Sequence, residues 1–263
     1  MGGRVFAVAG AKGGVGKTTT TLDLAAALAT AGHAVVVVEA DLAMANAVDF
    51  LDLPADPGTD PTLHDVLADT TPVSEATYAA PGGFDVVPSG VDLEGFAAAG
   101  IRSLGPVVDQ LRAEYDAVLI DTPAGITRET LYPVEVADET VLVSTPRAAS
   151  VRDVSKTVEM IERLGGRVRG IVFTKSGTGS APPAERIASF LEVDLLGDVP
   201  EDDAVPASQD AGVPIVEHAP DSAAAAAYRE IATRLGSSLV GVPGTESDDA
   251  GEDGTILDDG GET

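Results

Sequence analysis

The stretch "AKGGVGKTTT" at residues 11–20 combines closely spaced glycines with two lysines and a run of threonines. Backbone N–H groups in such a loop can close around a phosphate, because glycine lets the chain approach without a Cβ. Lys17 would then reach the β and γ phosphates of a nucleotide, and the hydroxyl of Thr18 suits a Mg²⁺ ligand. The residues predicted to bind the phosphates are Gly13, Gly14, Val15, Gly16, Lys17, Thr18 and Thr19. This chemistry leaves the other lysine, Lys12, without a task.

Two aspartates follow apolar runs and could serve phosphoryl transfer, which needs charge neutralisation more than a covalent nucleophile. In "AVLIDTPAG", Asp121 comes directly after a buried run, where a free charge is expensive unless it faces a metal or a donor. We predict that it holds Mg²⁺ through water. In "VVVVEADLAMAN", Asp41 is predicted to orient the attacking water, sense the γ phosphate and contribute to the metal site. The alternatives are a helix cap for Asp41 and a turn residue for Asp121.

The elements that must position these residues alternate along the chain. Seven apolar runs are expected to be strands: "RVFAVAG", "AVVVVEAD", "FDVVPSG", "YDAVLIDTPAG", "ETVLVSTP", "VRGIVFTKSG" and "VDLLGDVP". Helical patterns are predicted at 18–30, 103–114, 150–164, 183–191 and 221–235. Runs that are apolar on both faces and alternate with helices indicate a parallel sheet covered on each side. We predict an α/β fold of three layers, with a mostly parallel central sheet of about seven or eight strands.

The loop departs from the strict pattern G-x-x-x-x-G-K-[ST], because Ala11 stands at the first glycine. A lysine followed by "GGVGKTT" resembles the signature-lysine loop of the MinD/ParA family of P-loop ATPases, and the chain is most similar to archaeal members of its MinD branch. The resemblance implies the P-loop fold, ATP and Mg²⁺ as cofactors, slow dimer-dependent hydrolysis and a face-to-face homodimer formed with ATP. It also implies a role for Lys12, which would reach the nucleotide of the other subunit. A cation supplied in trans would offset the charge of two stacked phosphate sites.

Further assignments follow from the same resemblance. Asn46 matches the first switch, Gly125 the second, and the helix opening "SVRD" the surface for a regulatory protein partner, with Arg152 and Asp153 in the family order. For Gly125 a plain turn is the alternative, and for the helix opening "SVRD" a simple helix cap by Ser150 is an equal alternative. The base is expected to lie between the end of a late strand and the loop "VPEDDAV". The residues assigned to it are Thr174, Lys175, Pro200, Glu201 and Asp202, although the family usually has asparagine at the strand end. Glu39 is a second departure, since aspartate is usual there.

Composition limits the remaining possibilities. The chain has 263 residues, no cysteine and a formal net charge of −27. Without cysteine, thiolate-held metals and iron–sulfur clusters are excluded. Acidity spread over the whole chain repels nucleic acid and suits a salty cytoplasm. No run is long and apolar enough to span a membrane. We therefore expect a cytoplasmic protein that binds no specific nucleic acid, and that reaches a cell pole or membrane only through a partner.

The chain is predicted to form one ATPase domain over 1–236 and an acidic, disordered tail over 237–263. The chain has no Lys or Arg after Arg234, and its end "GTESDDAGEDGTILDDGGET" has only the small apolar island Ile256–Leu257. We therefore expect the amphipathic-helix membrane anchor of bacterial MinD to be absent. It would solubilise the protein or dock on a partner. The leading functional hypothesis is a MinD-type ATPase switch that positions a partner, such as division or surface machinery. The alternatives are a ParA-like DNA partition ATPase and a nucleotide-regulated scaffold with negligible turnover.

Overall fold

A single eight-stranded sheet forms the centre of the molecule. The computed structural model describes residues 2–91, 93–125, 128–177 and 182–239. In spatial order the strands run β3-β4-β2-β5-β1-β6-β7-β8, and every pairing is parallel except that of β3 with β4. The strands are β1 (Arg4–Ala9), β2 (Val35–Glu39), β3 (Tyr78–Ala79), β4 (Asp85–Val87), β5 (Ala117–Asp121), β6 (Glu139–Ser144), β7 (Val168–Ser176) and β8 (Leu195–Pro200).

Helices flank the sheet on both sides. They are α1 (Lys17–Thr30), α2 (Ala47–Phe50), α3 (Leu63–Leu67), α4 (Leu93–Ala98), α5 (Leu104–Glu114), α6 (Arg128–Val136), α7 (Ala148–Arg163), α8 (Ala184–Phe190), α9 (Ala204–Asp210), α10 (Ile215–His218) and α11 (Ala223–Gly236). Single 3₁₀ turns occur at Val73–Glu75 and Ile101–Ser103. Within the described ranges, no helix has the length and apolar character needed to cross a bilayer.

The predicted fold class is confirmed. All seven predicted strands and all five predicted helices are present, and the helix ends differ by at most two residues from the predicted bounds. The eighth strand, β3, has only two residues, too few to show an alternating pattern. Several short helices also carry no periodic signal, including α2, α9 and α10.

The valines of β2 show why helices cover both faces of the sheet. Val35 and Val37 pack into the core under α1 and α11, whereas Val36 and Val38 pack into the core that includes α3 and α5. Successive strand residues point to opposite faces, so an unbroken apolar run fits a strand with helices on both sides. A third cluster under α7 and α8 completes the β6–β7 side of the sheet.

Strand order determines where the site lies. The central strand β1 is bordered by β5 and β6, and β5 is bordered in turn by β2. Because these strands are parallel, their carboxyl ends meet at one edge, where ligands bind in open α/β sheets. Helix α11 ends at Gly236, and the domain boundary at residue 236 stays a prediction. Most of the predicted acidic tail, from residue 240 onward, lies outside the described residues.

Candidate functional site

The glycine-rich loop joins the end of β1 to the start of α1. Gly14 and Gly16 adopt left-handed backbone conformations, with φ of 74° and 86°, which glycine adopts without a steric penalty. The loop is held from β7, since Thr174 Oγ1 donates to the carbonyl of Val15 at 2.6 Å and Lys175 Nζ donates to the carbonyl of Gly14 at 2.9 Å. These bonds turn backbone carbonyls toward β7, in keeping with a loop that presents N–H groups to an anion.

Asp121 and Thr18 form the corner predicted to hold a metal. Thr18 Oγ1 donates to Asp121 Oδ2 at 2.6 Å, and Thr21 Oγ1 donates to the other carboxylate oxygen at 3.2 Å. Asp121 is 2% exposed, and burial raises its pKa to about 6, against the lowering effects of the Thr18 hydrogen bond and the charge of Lys17. A buried carboxylate beside a hydroxyl offers the hard oxygen ligands that Mg²⁺ prefers.

The rest of the corner is consistent with that ion. In the described part of the chain, no group of three or more His, Cys, Asp or Glu side chains could hold a metal unaided. Mg²⁺ usually keeps several waters and binds one or two carboxylates together with substrate phosphates, rather than an all-protein cage. Thr18 and Asp121 therefore fit a metal that arrives with a nucleotide.

Asp41 follows β2 and lines the same cavity as Lys17 and Thr18. Its Oδ1 accepts the N–H of Met44 at 3.2 Å, within a turn that precedes α2, and the N-cap residue of α2 itself is Asn46. Burial raises the pKa of Asp41 above its ordinary value, while the Met44 hydrogen bond and the charge of Lys17 lower it. A carboxylate of higher basicity beside the lysine could orient a water molecule.

A single cavity of about 660 Å³ joins these groups, a volume typical of small-molecule sites. Most of the predicted site residues line it: Gly13, Gly14, Gly16, Lys17, Thr18, Thr19, Asp41, Asn46, Thr174, Lys175, Pro200, Glu201 and Asp202. Others from the predicted set lie outside its lining: Lys12, Val15, Asp121, Gly125, Arg152 and Asp153. Of these, Val15 and Asp121 contact lining residues.

The base side of the cavity differs in detail from the prediction. The hydroxyl of Thr174 is used by the phosphate loop, and the carboxylate of Asp202 accepts the backbone N–H groups of Ala204 and Ala224 at 3.0 and 3.2 Å. Both side chains therefore shape the pocket wall. Sequence reasoning missed Gln209 on α9, whose Nε2 donates to Thr19 Oγ1 at 2.9 Å. No pattern in the sequence signalled this contact, because α9 is short and the residues are far apart along the chain.

The structure brings two separately predicted residues together. Lys12 Nζ lies 2.8 Å from Asp153 Oδ2 on α7, and the hydrogen bond from Lys12 lowers the pKa of that carboxyl. The lysine side chain is 47% exposed, on the rim of the phosphate loop. Arg152 is also exposed on α7, while Gly125 follows β5 with a φ of 96° that favours glycine. Thus the extra lysine is held within its own chain by the helix predicted to face a partner.

A glycine loop between a central strand and a buried helix, with an aspartate at the end of the adjacent strand, defines a P-loop nucleotide-binding protein. A family model described as an AAA domain matches residues 3–170, and one described as the NUBPL iron-transfer P-loop NTPase matches residues 107–236. An ATP-binding protein of Methanocaldococcus jannaschii is 39% identical over 231 residues, 88% of this chain and 86% of that protein.

Solved structures give the same result. The cell division ATPase MinD of Pyrococcus furiosus has a TM-score of 0.85 and 34% identity, covering 90% of this chain and 99% of that one. MinD of Pyrococcus horikoshii with Mg-ADP has a TM-score of 0.83 and 30% identity, covering 91% and 99%. A MinC:MinD complex of Aquifex aeolicus has a TM-score of 0.79 and 25% identity, covering 89% and 96%. The chain therefore belongs to the MinD/ParA family of P-loop ATPases.

Proposed function

We propose that the protein is an ATP-dependent switch of the MinD type, which dimerises around ATP, hydrolyses it slowly and so controls the position of a partner. The observation that carries this proposal is the corner formed by Lys17, Thr18 and Asp121 at the carboxyl edge of the sheet. Thr18 and Asp121 contact each other at 2.6 Å, and Lys17 is 92% buried beside them. Such a group suits phosphoryl transfer, in which catalysis is mostly positioning and charge stabilisation.

In the proposed reaction each residue has a distinct task. The loop N–H groups and Lys17 bind the phosphates, and Asp41 orients the attacking water. Thr18 and Asp121 would hold Mg²⁺, which supplies charge neutralisation at the β and γ phosphates when bound. After the product phosphate dissociates, the loop that ends at Asn46 would be free to change conformation. Gly125 would allow a similar conformational change in the loop after β5. Its φ is already left-handed, and glycine adopts such backbone angles without a steric penalty.

Lys12 is proposed to act in trans. It lies on the rim of the loop, half-exposed, and its contact with Asp153 must break before it can reach the nucleotide of a second copy. An exposed ion pair of this kind is weak enough to be exchanged for contacts to phosphate. Release of Lys12 would also free Asp153 and the neighbouring Arg152 for a regulatory protein. The MinC:MinD complex of a relative supports a protein partner of this kind.

The cellular setting is proposed from the same evidence. A net charge of −27 opposes binding to DNA and to anionic lipid. We place the protein in the cytoplasm of a salt-rich cell, with recruitment to a pole or membrane through a partner.

Phosphate release tests the enzymatic part. At molar salt with ATP and Mg²⁺, turnover per protomer should be slow and should rise with protein concentration, because the active form is a dimer. Lys17→Ala should abolish it. A wild-type rate no higher than that of Lys17→Ala would favour a scaffold without turnover and contradict the proposal.

Lys12→Ala tests the dimer. This variant should bind ATP but stay monomeric by light scattering with a non-hydrolysable analogue, because the cation in trans is lost. Lys156→Ala, which removes another exposed lysine whose charge acts on Asp153, is the matched control and should dimerise normally. Normal dimerisation of Lys12→Ala would show that the second lysine has another role.

A further inference from the structure

Glu39 is a buried carboxylate at the end of β2, and the proposed mechanism does not use it. It is 1% exposed and lies opposite Asp121 in the β2–β5 register. Its Oε1 accepts the N–H groups of Asn46 and Ala47, the latter at 2.7 Å. Its Oε2 accepts the N–H of Ser89 at 2.9 Å, just after β4. The carboxylate thus ties three segments together and has a donor at each end, which offsets the cost of burying it.

His64 on α3 forms the second part of the same cluster. It is 1% exposed, and its Nε2 lies 3.0 Å from the carbonyl oxygen of Leu42 and 3.3 Å from Ser89 Oγ. A carbonyl oxygen only accepts, so Nε2 must carry the hydrogen. Ser89 therefore contacts Glu39 through its backbone and His64 through its side chain. The stretch "TLHDVL" follows the family pattern, but a lone histidine on a helix is more often structural, so the sequence alone assigns His64 no role.

Both contacts fall on the segment that carries Asp41. His64 holds residues 40–47 at Leu42, and Glu39 holds them at the start of α2. The middle of the segment has little apolar packing, because Met44 is 66% exposed. On either side of Asp41, Ala40 and Leu42 are buried in the core that includes α3 and α5. The place of Asp41 is therefore fixed by this packing together with the buried hydrogen bonds of Glu39 and His64, and a small displacement of a catalytic group changes a rate strongly.

We propose that Glu39, His64 and Ser89 are positioning residues, which clamp the segment 40–47 so that Asp41 is oriented for hydrolysis. Nucleotide affinity is left to the phosphate loop. This inference rests on the proposed ATPase function. The longer arm of glutamate, where the family usually has aspartate, lets one side chain reach both the start of α2 and the turn after β4.

The test separates turnover from binding. In Glu39→Gln one carboxylate acceptor becomes a donor that faces a backbone N–H, so we expect the kcat for ATP to fall on the order of 10- to 100-fold. The affinity for ADP should stay nearly unchanged. His64→Leu should lower kcat in the same way, and His64→Gln should recover part of it, because the amide N–H of glutamine can replace Nε2–H. A purely structural role would not give this recovery.

Asp23→Asn is the matched control, because Asp23 is a carboxylate as deeply buried, and it accepts a backbone N–H from Ile215 away from the segment 40–47. Its kcat should equal that of the wild type. Hydrogen exchange supplies a readout without turnover: the amides of Asn46 and Ala47 should exchange faster in Glu39→Gln. If that variant does not fold, Glu39→Asp keeps the charge, shortens the arm and should show the same two effects.

Three results would overturn the clamp: an unchanged kcat in Glu39→Gln, a fall in kcat matched by an equal loss of ADP affinity, or unchanged exchange at residues 46 and 47. If the wild-type protein did not hydrolyse ATP, the proposed function would be refuted instead. The three residues would then have no role in catalysis, even if hydrogen exchange showed that Glu39 holds Asn46 and Ala47.

Discussion

Thr174 offers a direct way to separate support of the phosphate loop from recognition of the base. The residue is 4% exposed, and its hydroxyl donates to Val15 at 2.6 Å, with a second carbonyl, that of Ser144, at 3.3 Å. Thr174→Val keeps the shape and removes the donor. A buried carbonyl left unsatisfied costs about 1–3 kcal/mol. If nucleotide binding requires an ordered phosphate loop, this cost lowers the affinity for nucleotide. A free energy of about 1.4 kcal/mol corresponds to a tenfold change, so the affinity should fall roughly 5- to 150-fold.

The decisive feature is that this loss should not depend on the base. Titration with fluorescent ATP and GTP analogues should show both affinities reduced by the same factor. Thr77→Val removes a hydroxyl that donates to a carbonyl at 2.7 Å far from the site, and it controls for general effects of the substitution. A fall for ATP alone would mean that the hydroxyl reads the base, and no fall for either nucleotide would mean that the loop does not need this bond.

Two further predictions concern stability. Burial raises the pKa of Asp23 from 3.8 to about 7, so the folded protein binds a proton that the unfolded chain releases, and stability falls as pH rises from about 4 to 7. Asp23→Asn should remove this loss, so its free energy of unfolding at pH 8 should exceed that of the wild type by up to about 4 kcal/mol. If denaturant unfolding gave a difference between the two proteins that stayed constant from pH 5 to 8, the prediction would be contradicted. In Gly10→Ala the new Cβ would lie 2.7 Å from the carbonyl oxygen of Val143, so unfolding free energy should fall by about 1–3 kcal/mol. Gly13→Ala, with open space around the Cβ, should show no such loss in thermal unfolding.

The fold could be predicted because its signals are local and repeated. Apolar runs such as "AVVVVEAD" reflect strands buried on both faces, and the glycine loop follows one of them directly. The two-residue strand Tyr78–Ala79 and the four-residue helix Ala47–Phe50 were missed because neither is long enough to show a period.

The sequence predicted which residues belong to the site better than it predicted which of them contact each other. Sequence reasoning placed Thr174 beside the base, whereas its hydroxyl bonds to Val15, 159 positions away along the chain. It treated Lys12 and Asp153 as separate residues, and they form an ion pair. Hydrogen-bond partners depend on how distant segments meet, and local spacing carries no information about that.

The ion pair between Lys12 and Asp153 also couples the two surfaces on which these side chains lie. Whatever draws the ammonium toward a second molecule exposes the carboxylate on α7, and whatever engages that carboxylate releases the ammonium. Thermodynamic linkage makes such effects equal in both directions. Self-association and binding of a regulator would then favour each other, because both require the Lys12–Asp153 contact to break.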